Sequence, residues 1–295
     1  MMALLLCIFC SSLLVFMFKV FEHYRVAVFP AIVINYLTCV ICGFLDAGSN
    51  PLQLTLDSIH ANWFWLAVVM GFAFINIFAL TSQTALHLGV STASVAMKLG
   101  LVIPVFFAFA FYGEPLTVLK LLGIALAILA VVLSSIKDKE EEQHHQRARW
   151  LFALPVVVFI GSGLCDSGAQ LGEKKYFPNG GSQPLVLFIF LFAFLTGLIY
   201  LLINRFRPAA NHVFGWRELV GGIALGIPNY GSLLFLLRAL NEVPGGSSVV
   251  FPLSNIATVA GSTLLSVLIF KEKLSALNWA GMAAALLCIA VMAKA

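Results

Sequence analysis

Ten stretches of about 20 almost wholly apolar residues follow one another with little between them. They run over 2–18, 26–45, 63–86, 90–112, 115–136, 150–171, 184–203, 218–238, 246–270 and 275–293. A helix needs about 20 such residues to cross the hydrocarbon core of a bilayer. Inside that core only helices and closed barrels satisfy their own backbone. These runs are continuous rather than alternating, and each is far longer than a barrel strand of about 10 residues, so a barrel is excluded. Composition excludes the soluble alternatives. The chain is 61% hydrophobic and 10% charged, against about 25% charged in soluble domains, and its mean hydropathy is +1.01. A water-soluble domain, a nucleic-acid binder and a disordered chain are all ruled out. The expected fold class is an all-α integral membrane protein of ten transmembrane helices. Aromatic residues at run ends (Trp63, Trp65, Tyr112, Trp150, Tyr200, Trp216 and Trp279) match an interfacial belt.

The first run has no positive residue before it and is followed by Lys19 and Arg25, so it reads as a retained span rather than a cleaved signal. One long polar stretch, KDKEEEQHHQRAR over 137–149, reads as a solvated linker between 1–136 and 150–295. Its adjacent His144 and His145 lack the fixed geometry of a metal site. On the linker's side of the expected membrane stand Lys19, Arg25, Lys137, Lys139, Arg147, Arg149, Arg205, Arg207, Arg217, Lys271 and Lys273, eleven in all. The opposite side holds four: Lys174, Lys175, Arg238 and Lys294. Cytoplasmic loops carry the positive excess, so the linker is expected in the cytoplasm and both termini outside, in a plasma or bacterial inner membrane. The chain ends just after the tenth run, and no soluble tail domain is expected.

The two halves resemble each other. YGEPLTVLKLLGIALAI (112–128) matches FKEKLSALNWAGMAAAL (270–286) at an offset of 158, aligning Glu114 with Glu272, Leu116 with Leu274, Leu119 with Leu277 and Gly123 with Gly281. Upstream, ALHLGVSTASV (85–95) matches ALNEVPGGSSV (239–249) at an offset of 154. Five spans per half is an odd number, so the second copy is expected to be inverted, an architecture that places a solute site at the repeat interface. The GEPLT element followed by a glycine-containing apolar helix, present twice, resembles the EamA-type transporters of the drug/metabolite transporter superfamily. That resemblance spans both halves and implies ten helices around a central cavity, working by alternating access on metabolites or amino acids. The second copy departs from the pattern, with Lys271 in place of the glycine before Glu272. The first span has no acidic residue, unlike the related small multidrug pumps, and Glu22 falls outside it. Glu114 and Glu272 stand at helix junctions, where a carboxylate is expected to cap the following helix.

Polar residues within the runs are the candidate site. Lys98 lies about 12 Å into the fourth span at 1.5 Å per residue, near the middle of a core about 30 Å thick. It reads either as a helix-locking or snorkelling cation or as an anchor for an anionic or zwitterionic solute. Asp166, in GSGLCDSGAQLG, is the one acid placed well inside a predicted span, about 9 Å from its outer end. It reads as a contact for a solute amine, a proton site or a structural hydrogen-bond acceptor. Asn76 and Tyr230 are equivalent at the 154 offset, and Asn229, Ser254 and Asn255 are close in sequence to Pro228 and Pro252. Singly these are helix–helix hydrogen-bonding residues; together they mark a polar cavity, since proline frees backbone carbonyls that are tolerated where they line protein or water. Lys120, a turn or two into its helix, is expected to snorkel.

Cys7/Cys10 and Cys39/Cys42 imitate zinc spacing but sit in apolar helices, as do Cys165 and Cys288, so neither a metal nor a disulfide framework is expected. The leading expectation is a secondary transporter of small polar metabolites, anionic or zwitterionic, that is not an enzyme and carries no cofactor. Its partners are the solute and the lipid bilayer, with no nucleic acid, as a monomer or homodimer. The alternative from another class is a membrane-embedded enzyme such as a lipid-modifying transferase. Against it, His23, His60, His87, His144, His145 and His212 all fall in loops or at span ends, and neither an HExxH nor a GxxxxGKS motif occurs. A non-transporting scaffold leaves Lys98, Asp166 and the repeat unexplained. With no nucleotide-binding domain, pumping would draw on gradients or run as facilitation.

Overall fold

The structure, a computed structural model, describes residues 1–47, 57–88, 90–115, 117–135, 153–205, 215–270 and 276–292. The linker at 137–149, the second copy of the repeated element at 271–275 and the C-terminal residues 293–295 lie outside the described residues. Among the described residues there is no strand. The helices are α1 (Met2–Tyr24), α2 (Val28–Asp46), α3 (Phe64–Leu88), α4 (Val90–Leu99), α5 (Val102–Tyr112), α6 (Val118–Ser135), α7 (Leu154–Tyr176), α8 (Gln183–Arg205), α9 (Trp216–Glu242), α10 (Ser247–Phe270) and α11 (Ala276–Met292).

Among the described residues, seven helices are long and apolar enough to cross a membrane: α1, α2, α3 through Thr84, α7, α8 through Ile203, α9, and α10 through Ile269. The chain is therefore a multi-pass helical membrane protein by length and composition. Large apolar side chains stand exposed along these helices, among them Phe9, Ile41, Phe72, Ile199 and Ile227. In water such surface would be an aggregation liability; in lipid it is the solvated face. The predicted runs 90–112, 115–136 and 275–293 hold α4 with α5, α6 and α11.

The chain forms two compact units, each drawing residues from both halves of the sequence. The first contains Met1–Ile75 and Gly168–Glu242; the second contains Asn76–Ser167 and Val243–Ala295. In the first unit α9 packs on α1 and α2, and α2 on α8. The α9–α2 approach is set by two glycines one turn apart, Gly222 and Gly226. A β-carbon at Gly222 would fall 2.5 Å from Ile34 Cβ, and one at Gly226 would fall 2.5 Å from Thr38 Cβ. This is the small-xxx-small spacing that lets membrane helices touch backbone to backbone. Glu218 ties the same two helices at the other end, accepting from the Ala27 N–H at 3.0 Å and the Gly215 N–H at 2.9 Å. Both donors precede helix starts, where N–H groups lack intrahelical partners.

In the second unit α6 packs on α10 and α11, and α10 also on α5. The Cys288 thiol donates to Gly123 O at 3.2 Å, joining α11 to α6. Here the glutamate of the repeated element has an unexpected partner. The expectation was that Glu114 caps the helix after it. Its two oxygens accept from the Ser247 and Ser248 N–H groups, each at 3.0 Å, so that it caps α10, far along the chain. The turn ahead of α10 makes this possible. Gly245 and Gly246 have φ of 90° and 64°, which side chains rarely adopt, and a β-carbon on Gly246 would land on the Glu114 carboxylate. Glu114→Gln is expected to destabilise the protein by about 1–3 kcal/mol, because one acceptor becomes an NH₂ facing an N–H donor. Thermal melting of the purified variant checks this; a melt superimposable on wild type removes the cap from the account of the fold.

Lys120, expected to snorkel, is buried at 2% exposure, and its ammonium donates to Gly245 O at 3.2 Å. The reason is that its partner lies far away in the chain, in the turn ahead of α10, where a backbone carbonyl takes the place of water.

Candidate functional site

The predicted span 90–112 is not one continuous helix. It breaks at Gly100–Leu101, between α4 and α5. Pro104 accounts for the position: it has no N–H to give Gly100 O four residues earlier, and its ring crowds that carbonyl. The backbone tightens instead, with Leu101 N–H donating to Lys98 O at 3.3 Å and Ile103 N–H to Gly100 O at 3.0 Å. That shift leaves Met97 O without its ordinary partner, and the Ser162 hydroxyl of α7 lies 3.1 Å from it. α7 comes close enough for this because Gly163 faces the break: a β-carbon there would sit 2.7 Å from Gly100 O.

Lys98 occupies the last turn of α4, just before the break. Its half-buried ammonium donates to Asn255 Oδ1 of α10 at 3.1 Å. Asp166, three residues beyond Gly163 on α7 and half-buried, interacts electrostatically with the same ammonium. The second unit thus brings together three of the sequence-derived candidates, contributed by a broken helix, a glycine-lined helix and a proline-containing helix. Ser254, beside Asn255, turns its hydroxyl back to Phe251 O at 3.1 Å in the turn that holds Pro252. Asn76 is half-buried at the point on α3 where the second unit begins.

The remaining two candidates belong to the first unit. Asn229 donates to Asn35 Oδ1 of α2 at 3.1 Å, and the Cys39 thiol donates to Gly226 O at 3.3 Å. The Tyr230 hydroxyl donates to Asp46 Oδ2 at 3.1 Å, and the Arg238 guanidinium stands 4.0 Å from the same oxygen. These are polar joints across α2 and α9. Neighbouring in sequence, Asn229 and Tyr230 therefore serve different contacts.

Sequence reasoning missed Glu173. The predicted span ended at 171, before the charges of GEKK, yet α7 continues to Tyr176 and Glu173 is fully buried at 0% exposure. Asp166 stays the acid deepest along α7, and Glu173, three residues from the end of the helix, is a second acid buried on it. The available signal was spacing: Gln170 and Glu173 lie three apart, on one helical face. Asn35, equally missed, is 1% exposed and reads in sequence as an isolated polar residue in an apolar run.

No family model matches this chain. It is 26% identical over 281 residues to an uncharacterized protein of Haemophilus influenzae, the match covering 94% of this chain and 92% of that protein. A protein of known crystal structure is similar in fold, with a TM-score of 0.71 over 98% of this chain and 95% of the other, at 18% identity.

Proposed function

We propose that this protein is a secondary transporter that moves small anionic or zwitterionic metabolites across the membrane by alternating access. In this reading ten transmembrane helices form two inverted five-helix repeats of the EamA, drug/metabolite type. The membrane is a plasma or inner membrane, with the 137–149 linker cytoplasmic and both termini outside.

The observation that carries the reading is the break at Gly100 with Lys98 beside it. Transporters place solute and ion sites at interrupted helices, and a proline kink likewise frees backbone carbonyls, which the bilayer tolerates only where protein or a wet cavity receives them. An ammonium there is costly unless something offsets its charge. Lys98 has the amide of Asn255 and the carboxylate of Asp166 for this. A solute carrying both an acid and an amine would complement the pair, its acid facing Lys98 and its amine facing Asp166.

A metabolite uptake and efflux screen in proteoliposomes, with and without a proton gradient, tests the reading; no solute transported in either direction overturns it. Asp166→Asn is expected to insert and fold but to change the transport rate or its pH profile, because the amide cannot change charge. Identical rates and profiles in wild-type and variant vesicles exclude Asp166 as a coupling or binding group.

A further inference from the structure

Gln170 and Glu173 stand three residues apart on α7 within the first unit, both at 0% exposure. Glu173 Oε1 accepts from Asn241 Nδ2 at 2.6 Å, and the Ser182 hydroxyl also hydrogen-bonds the carboxyl. Its other oxygen, Oε2, has no partner among the described residues. Nor do Oε1 and Nε2 of Gln170. Buried polar atoms are nearly always paired, so three orphans on one helical face require an account.

The charged groups around Glu173 are committed elsewhere. Arg238 reaches Glu173 electrostatically. Its guanidinium, however, stands 4.0 Å from Asp46, lies over the Phe235 ring at 5.7 Å and donates to the Gln183 amide oxygen at 3.1 Å. Glu242 is 3.5 Å from the Met1 amine. Lys174 stands one turn after Gln170, half-buried, yet the Gln170 side chain and Glu173 Oε2 receive no hydrogen bond among the described residues, and Lys175 turns away from the Gln170–Glu173 face and lies over the Tyr176 ring at 5.3 Å. Asn241 spends its remaining reach on Phe177 O at 3.2 Å. At the neighbouring glycines, Gly168 and Gly172, the side chains of α3 and α8 that come nearest are the apolar Met70, Leu66 and Leu185.

An ionised Glu173 would leave one carboxylate oxygen bare where no water reaches it. A proton on Oε2 converts that oxygen into a donor, and the amide oxygen of Gln170 is an acceptor at the i−3 spacing where helical side chains meet. One proton thereby satisfies two of the three orphan atoms.

We propose that Glu173 is a proton-binding site, held here as the neutral acid with its Oε2–H donating to Gln170 Oε1. The proton comes from water, forms the O–H bond and cancels the carboxylate charge; it leaves by the same route when this end of α7 opens to solvent. The assignment stands whether or not the chain transports a solute.

Infrared spectra of the full-length protein in lipid nanodiscs, taken from about pH 5 to about pH 9, test it. The expected result is a carboxylic-acid carbonyl band in wild type that Glu173→Gln removes and Gln170→Leu moves to higher frequency, as loss of a hydrogen bond does. Glu173→Gln is expected to assemble and to melt within a few degrees of wild type, because the amide has the shape of the neutral acid and can also donate to Gln170. A band untouched by Glu173→Gln overturns the proposal, and so does a band untouched by Gln170→Leu. Failure of Glu173→Gln to assemble overturns it too, since a site built for the neutral acid accepts its neutral isostere.

Discussion

Lys98→Met is expected to weaken solute binding by roughly 10-fold to 100-fold, the worth of one hydrogen bond to a charged group at about 1.5–3 kcal/mol. The single variant is also expected to melt below wild type, because removing one of two opposite charges within the membrane leaves the other uncompensated; here the group left behind is Asp166, which feels the Lys98 charge. These two effects have different cures. The double variant Lys98→Met/Asp166→Asn removes both charges and is expected to recover the melting temperature without recovering binding. Lys98→Arg is expected to keep the charge and melt near wild type but bind less well, since a planar fork does not reproduce a compact ammonium at the 3.1 Å contact with Asn255. The cycle is read by melting temperature and solute binding on the same purified proteins. If binding returns together with stability in the double variant, Lys98 and Asp166 form a structural pair, and the solute-anchor role is wrong.

The membrane-spanning class of fold was legible because length and apolarity alone dictate it, and seven of the predicted runs coincide with long apolar helices. Lys98 was legible for the same reason in reverse: one cation deep in an apolar run stands out. Interactions that join distant parts of the chain were not. Glu114 is a junction residue by sequence, but its donors are Ser247 and Ser248, more than 130 positions away, and no local pattern names them. Lys120 fails for the same reason, with Gly245 O as its partner. The break in the fourth span had a local signal that apolarity masked: Pro104 four residues after Gly100 is the arrangement in which proline clashes with a helical carbonyl. Glu173 was lost through a boundary placed at the first cluster of charges, although α7 runs on and buries the first of them.

Helix α9 carries the prediction with the largest effect on assembly. Gly226→Leu is expected to abolish recovery of folded protein, and Gly226→Ala to cost about 1–3 kcal/mol, the typical toll of overpacking. The cause is the closeness of α2: a β-carbon on Gly226 would fall 2.5 Å from Thr38 Cβ and 2.8 Å from the backbone oxygen of Asn35, an atom that cannot move without its helix. Separating α9 from α2 would also stretch the Asn229–Asn35 hydrogen bond at 3.1 Å and the Cys39–Gly226 contact at 3.3 Å. Gly168 on α7 is the control. A β-carbon there would meet Met70 at 3.1–3.4 Å, and all three nearest atoms belong to the outer end of a flexible side chain. Gly168→Ala is therefore expected to be neutral or stabilising, with a gain of up to about 1 kcal/mol from helix propensity. Both alanine variants add the same methyl group to a helical glycine, so their difference isolates what the methyl meets. Melting curves in one detergent decide the matter. Equal melting temperatures for the two would mean that the α2–α9 approach does not depend on the glycine spacing.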